Sequence, residues 1–88
     1  MEYRIEYKNT AKKELAALPK GTAKKIKALV DQLAFDAKPV GSKKLKGAIN
    51  TYRIRSGDYR VAYEIHKKEI VIFIIKIGHR KSIYKRLP

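Results

Sequence analysis

The chain lacks cysteine and tryptophan altogether, and its 22 Lys and Arg face only eight acidic side chains across 88 residues. Without cysteine there is no disulfide framework, no thiolate nucleophile and no cysteine-ligated zinc. Long hydrophobic runs are missing as well. The longest, residues 70–75, stops at Lys76, far short of the ~20 apolar residues a membrane helix needs. The opening MEYRIEYKNT alternates and carries acids where a secretory signal would need an apolar stretch. A soluble, cytoplasmic protein with no membrane partner is expected.

Acid is scarcest in the second half. Residues 1–40 hold nine basic and five acidic side chains, whereas residues 41–88 hold thirteen and three. Those three acids, Asp58, Glu64 and Glu69, are scattered, which argues against the paired carboxylates of a two-metal nuclease. No GxxxxGK[ST] or GxGxxG loop and no serine nucleophile elbow is present, so neither a nucleotide cofactor nor acyl-transfer chemistry has support. No cofactor and no metal are expected. A formal net charge of +14 attracts nucleic acid, an anionic membrane or an acidic protein, and for so small a domain contact with nucleic acid or the ribosome is the favoured reading.

What is present is periodic. One domain spanning residues 1–88 is expected from the length. Tyr3, Ile5 and Tyr7 alternate with Glu2, Arg4 and Glu6, the pattern of a half-buried strand. Asn9 or Thr10 offers an N-cap to a short helix with Ala11, Leu15 and Leu18 on one face, ended by Pro19 and Gly21. A second helix is predicted over residues 20–35, with Ile26, Leu29, Val30 and Leu33 at i, i+3, i+4 and i+7 and with Lys24, Lys25 and Lys27 on the opposite face. Residues 37–47, AKPVGSKKLKG, read as a loop. Three strands then follow closely, at 51–55, 59–65 and 70–77, joined by Ser56-Gly57-Asp58 and Lys67-Lys68-Glu69. The expectation is an α+β fold of order β-α-α-β-β-β, a helical hairpin on a small, twisted, antiparallel-rich sheet.

Alternation decides where the cations go. If Ile54 joins Val61 in the core, Arg55 must lie opposite Arg60, and Arg53, Arg55 and Arg60 share one surface. Like charges paired on a sheet destabilise it, so a chain that keeps three together next to Lys43, Lys44 and Lys46 is suited to a polyanion. Solvated arginines on an open face are the plain alternative. The planar guanidinium fork matches phosphate oxygens, and a cluster of them can hold the charge that builds on phosphorus during displacement. After the last strand comes GHRKSIYKR, residues 78–86, where His79 could transfer protons and Tyr84 could stack on a base. Tyr3, Tyr7, Tyr52, Tyr59 and Tyr63 fall on core faces, and His66 beside its Lys-Lys turn reads as exposed and structural.

The segments KKLKG at 43–47, YRIRSGDYRVAYEI at 52–65 and IGHRKSIY at 77–84 together resemble the RelE branch of the RelE/ParE toxins, over nearly the whole chain. The resemblance implies a microbial RNase-like fold. It also implies the toxin of a type II toxin–antitoxin pair, which cleaves mRNA in the ribosomal A site by metal-free attack of the ribose 2′-OH on its own phosphate. It further implies a RelB-like antitoxin partner, with operator DNA reached only through the toxin–antitoxin complex. It places the reaction on Arg53, Arg55, Arg60, Arg80 and Tyr84. Where RelE-type members carry Lys at the pair on the second strand, this chain has Arg53 and Arg55. Guanidinium stays protonated, so His79 becomes the leading candidate for proton transfer, with Tyr84, a loop lysine or the ribosome as further contributors. Lys24, Lys25, Lys27, Lys43, Lys44, Lys46, Lys81, Lys85 and Arg86 are the expected RNA and ribosome contacts. The alternatives are a ParE-type, non-enzymatic inhibitor of DNA gyrase and an inactive homologue that only binds antitoxin or RNA.

Overall fold

The structure is a computed structural model that describes residues 2–79. Its elements are β1 (Arg4–Tyr7), α1 (Asn9–Ala16), α2 (Lys20–Gln32), β2 (Lys43–Lys44), β3 (Thr51–Ser56), β4 (Tyr59–His66) and β5 (Val71–His79). The strands form one sheet in the order β1-β5-β4-β3-β2. β1 runs parallel to β5, and every other pair is antiparallel. The expected α+β order is observed with one addition, the two-residue strand β2, inside the segment that reads as a loop. Two residues carry no detectable period, so β2 forms only because β3 offers an unpaired edge.

The apolar stripe of α2 and the inward residues of β3, β4 and β5 make the core. Ala11, Ile26, Val30 and Leu33 pack against Ile54, Val61, Tyr63, Ile65, Ile72, Ile74 and Ile77. Ile26, Val30 and Leu33 are fully buried, so truncating any of them to Ala would cost about 2–5 kcal/mol. α2 ends at Gln32 rather than at residue 35, because the backbone then tightens and the Ala34 carbonyl accepts from Tyr3 N–H at 2.8 Å. Phe35 is left exposed. α1 starts without the expected Asn9 or Thr10 cap: Lys8 holds the cap position and no side chain caps it.

Two buried polar links tie the layers together. The Tyr63 hydroxyl donates to the Ala37 carbonyl at 2.8 Å, and its ring stacks on Tyr52 at 6.0 Å. Burial pushes the Tyr63 phenol up to about 12. Glu14 of α1 meets Lys76 of β5, Oε2 to Nζ at 2.9 Å, while its Oε1 accepts from the Ile77 backbone N–H at 2.9 Å. β1 pairs with β5 only as far as Ile74, so Glu14 supplies the acceptor that the missing strand would have given to Ile77.

Strand β5 departs from simple alternation. Tyr63 pairs with Ile74 but Ala62 pairs with Lys76, so Ile75 is an extra residue that forms a bulge. The bulge reverses the facing of everything after it, which lets Ile77 join Ile72 and Ile74 in the core. Ile70, expected to open this strand, instead closes the preceding turn at φ 55, a conformation that strains a β-branched residue. Among the described residues no helix is long and apolar enough to cross a membrane.

Candidate nucleic-acid interface

The face of the sheet away from the helices carries the basic cluster. Arg53 lies between Lys43 of β2 and Ala62 of β4, and Arg55 lies directly opposite Arg60. The register deduced from the apolar residues is the one observed, with Ile54 opposite Val61. Opposite Cβ atoms on such a ladder stand about 5 Å apart, so Lys43, Arg53, Arg55 and Arg60 form one patch of positive charge. The β3–β4 turn that sets this register is Gly57-Asp58, with Gly57 at φ 60, as the first position of a type II′ hairpin turn requires.

Arg60 is the most constrained member. Its Nη1 donates to the Gly57 carbonyl at 3.4 Å, while its Nε is buried with no hydrogen-bond partner among the described residues. The Gly57 carbonyl holds one edge of the guanidinium, which fixes its position beside Arg55. Gly78, opposite Arg60 on β5, puts no side chain beside it.

His79 lies within β5 rather than after the last strand. The expectation brings it to the arginine face, but the register pairs it with Tyr59, and its ring meets Tyr59 edge-on at 5.8 Å. Tyr59 packs against the core, so the His79 ring stands on the other side of the sheet from Arg60. The β5 bulge is the cause: without the extra Ile75, alternation would have put His79 on the arginine face. Arg80, Lys81, Tyr84, Lys85 and Arg86 lie outside the described residues.

The lysines divide among four places. Lys43 sits in the cluster. Lys44 pairs with Tyr52 and so takes the opposite parity from Lys43. Lys46 lines a cavity of about 470 Å³ together with Leu45, Gly47, Ala48, Thr51, Glu64 and Ile75, next to the arginines on the same face. Lys24, Lys25 and Lys27 are exposed on α2, in the helical layer behind the sheet, where Lys27 pairs with Asp31 at 3.7 Å. The structure therefore does not bring them together with the arginines.

Three residues escape the sequence reading. Glu14 and Lys76 fix the end of β5, and the clue is the single cation in an otherwise apolar strand, which demands a carboxylate partner. Glu64 is the third. It is held by His66, whose Nε2–H donates to Glu64 Oε1 at 2.9 Å. His66 is thus half-buried, with its ring edge-on to Phe73 at 5.0 Å, rather than exposed as its sequence context suggests.

Comparison with known proteins gives a consistent picture. Residues 5–84 match the model of the family described as "ParE toxin of type II toxin-antitoxin system, parDE". The RelE1 protein of Methanocaldococcus jannaschii is 34% identical over 97% of this chain and 98% of its own length. The mRNA interferase toxin RelE of Escherichia coli is 30% identical over 92% of this chain and 86% of its own. Among solved structures, the archaeal RelE–RelB complex from Pyrococcus horikoshii contains a chain that matches with a TM-score of 0.81 and 33% identity. That match covers 93% of this chain and 99% of that one.

Proposed function

The chain belongs to the RelE/ParE superfamily and is a RelE-type toxin of a type II toxin–antitoxin system, and on that premise we propose that it cleaves mRNA in the ribosomal A site. The observation that carries this reading is the convergence of Lys43, Arg53, Arg55 and Arg60 on one sheet face, with Arg60 held in place by the Gly57 carbonyl.

The chemistry asks little else of the protein. The ribose 2′-oxygen attacks the adjacent phosphorus, the bond to the next nucleotide's 5′-oxygen breaks, and a 2′,3′-cyclic phosphate and a 5′-hydroxyl result. Charge accumulates on the phosphoryl oxygens, where Arg55, Arg60 and Arg80 donate, with Arg53 and Lys43 in support. Tyr84 stacks on the substrate nucleotide and holds it in line. No step requires a metal ion. The arginines cannot accept the proton from the 2′-OH, and His79 faces Tyr59 instead. Proton transfer is therefore assigned to the Tyr84 phenol together with groups of the ribosome. Lys46, Lys81, Lys85 and Arg86 contact RNA, and Lys24, Lys25 and Lys27 offer a second basic surface. A RelB-like antitoxin partner is proposed from the relatives solved as RelE–RelB complexes; it would neutralise the toxin by covering the arginine face.

The experiment is to add the purified protein to ribosomes programmed with a defined mRNA and map new 5′ ends by primer extension. Cleavage within the A-site codon that is lost in Arg60→Ala and Arg80→Ala supports the reading. The match to the ParE model keeps one other reading in view. Intact mRNA together with blocked gyrase supercoiling would replace the nuclease assignment with gyrase inhibition.

A further inference from the structure

A face built to hold phosphate has a reason to exclude carboxylates, yet Glu64 lies on it. Along β4 it follows Ala62, the neighbour of Arg53, and it pairs with Thr51 across to β3. Residues two apart on one strand face are about 7 Å apart, so Glu64 stands roughly one nucleotide's reach from a phosphate on Arg53. Its orientation is fixed. His66 Nε2 holds Oε1 at 2.9 Å, the His66 ring is edge-on to Phe73 at 5.0 Å, and Glu69 lies 3.9 Å from the imidazole's other nitrogen. Among the described residues the contacts of this carboxylate engage Oε1 alone, so Oε2 can accept from a ligand.

In front of this carboxylate is the cavity of about 470 Å³. It is lined by the apolar residues Leu45, Ala48 and Ile75 together with Thr51, Glu64 and Lys46. Apolar walls suit the faces of a base. A carboxylate cannot receive phosphate, but it accepts hydrogen bonds from a base edge that carries N–H groups. Lys46 can take the phosphate attached to that same nucleotide.

We propose that this cavity is a nucleobase subsite in which Glu64 accepts from an amino-bearing Watson–Crick edge and rejects uracil. Cytosine and uracil make the sharpest comparison. Cytosine presents its N4 amino group at the corner of the edge, whereas uracil's one donor, N3–H, lies between two carbonyl oxygens that the carboxylate repels. Adenine and guanine also carry amino groups, so the subsite excludes one base rather than selecting one. The inference rests on the reading of this face as an mRNA-cleaving site and adds a selectivity that phosphate contacts cannot supply.

The test uses ribosomes programmed with mRNAs that differ only by cytosine or uracil at the nucleotide on either side of the cleaved bond. Cleavage rates are measured for the wild type, Glu64→Gln and Glu64→Ala. The wild type is expected to cleave the cytosine form about tenfold faster at one of the two positions. Glu64→Gln, which offers an N–H as well as an oxygen, is expected to bring that ratio to within about twofold, mainly by speeding the uracil form, and Glu64→Ala is expected to abolish it. Cleavage by the wild type with equal rates at both positions overturns the subsite and leaves the nuclease reading standing. So does a cytosine preference that persists undiminished in both variants. Failure of the wild type to cleave any of these mRNAs overturns the nuclease reading and the subsite with it.

Discussion

Replacing Glu14 by Ala tests how the end of β5 is held. The substitution removes the carboxylate that takes Lys76 Nζ at 2.9 Å and the Ile77 N–H at 2.9 Å. The side chains are 22% and 11% exposed, so the pair lies between a surface bridge and a fully buried one. Breaking a fully buried pair costs about 3–5 kcal/mol, chiefly because a buried charge is stranded. Partial solvation lowers that, while the orphaned Ile77 N–H raises it. The expected loss is about 2–3 kcal/mol. In a domain of this size that is a fall in unfolding midpoint of about 10–20 °C. Urea denaturation and thermal melting followed by circular dichroism give the value, and amide exchange at Ile77 gives the local effect. A double-mutant cycle separates stranding from attraction. Glu14→Leu with Lys76→Met removes both charges and is expected to be more stable than Glu14→Ala alone. A loss below about 0.5 kcal/mol for Glu14→Ala, the range of an ordinary surface substitution, would refute the reasoning. A double variant as unstable as the sum of its singles would refute it too.

Other perturbations address the turn, the core phenol and the basic face. Gly57→Val forces a β-branched residue to φ 60 and is expected to cost more than 1 kcal/mol; it should also slow cleavage by disturbing the Arg55–Arg60 pair, as urea midpoints and rate measurements would show. The Tyr63 phenol, raised to about 12 by burial, keeps its proton in the folded state while the unfolded chain ionises near 10. Stability is therefore at its full value below pH 10 and falls as pH rises towards about 12, a decline expected to be shallower in Tyr63→Phe when urea midpoints are compared. Four cations on single-stranded RNA give a slope of log K against log salt of about −3, and Arg55→Ala is expected to reduce it by about 0.7, measurable by fluorescence anisotropy. His79→Ala is expected to slow cleavage less than Arg60→Ala, since the imidazole faces Tyr59.

Where one strand face is buried, the sequence is explicit. Tyr52 and Ile54 against Tyr59, Val61, Tyr63 and Ile65 leave one workable register, and that register aligns Arg55 with Arg60. The β5 bulge is not legible for the opposite reason. In Ile70-Val71-Ile72-Phe73-Ile74-Ile75 both faces are apolar, so nothing local marks the reversal that turns His79 towards Tyr59. Strand β2 is hidden because two lysines in a Gly- and Pro-containing loop have no period. The parallel pairing of β1 with β5 joins segments more than sixty residues apart and depends on the helices between them. In the sequence Glu64 is one of three scattered acids, and only the fold brings it to the wall of a cavity beside the arginines.

The central claim is that the arginines on the open sheet face stabilise the charge formed as the mRNA phosphate is displaced. Single-turnover cleavage on programmed ribosomes, with saturating wild type or Arg60→Ala and a parallel ribosome-binding measurement, tests it most directly. Loss of one donor to a developing oxyanion is expected to slow cleavage by about 100-fold, with ribosome binding reduced only slightly. An Arg60→Ala variant that cleaves at the wild-type rate, or one that is slow only because it no longer binds the ribosome, would contradict the account.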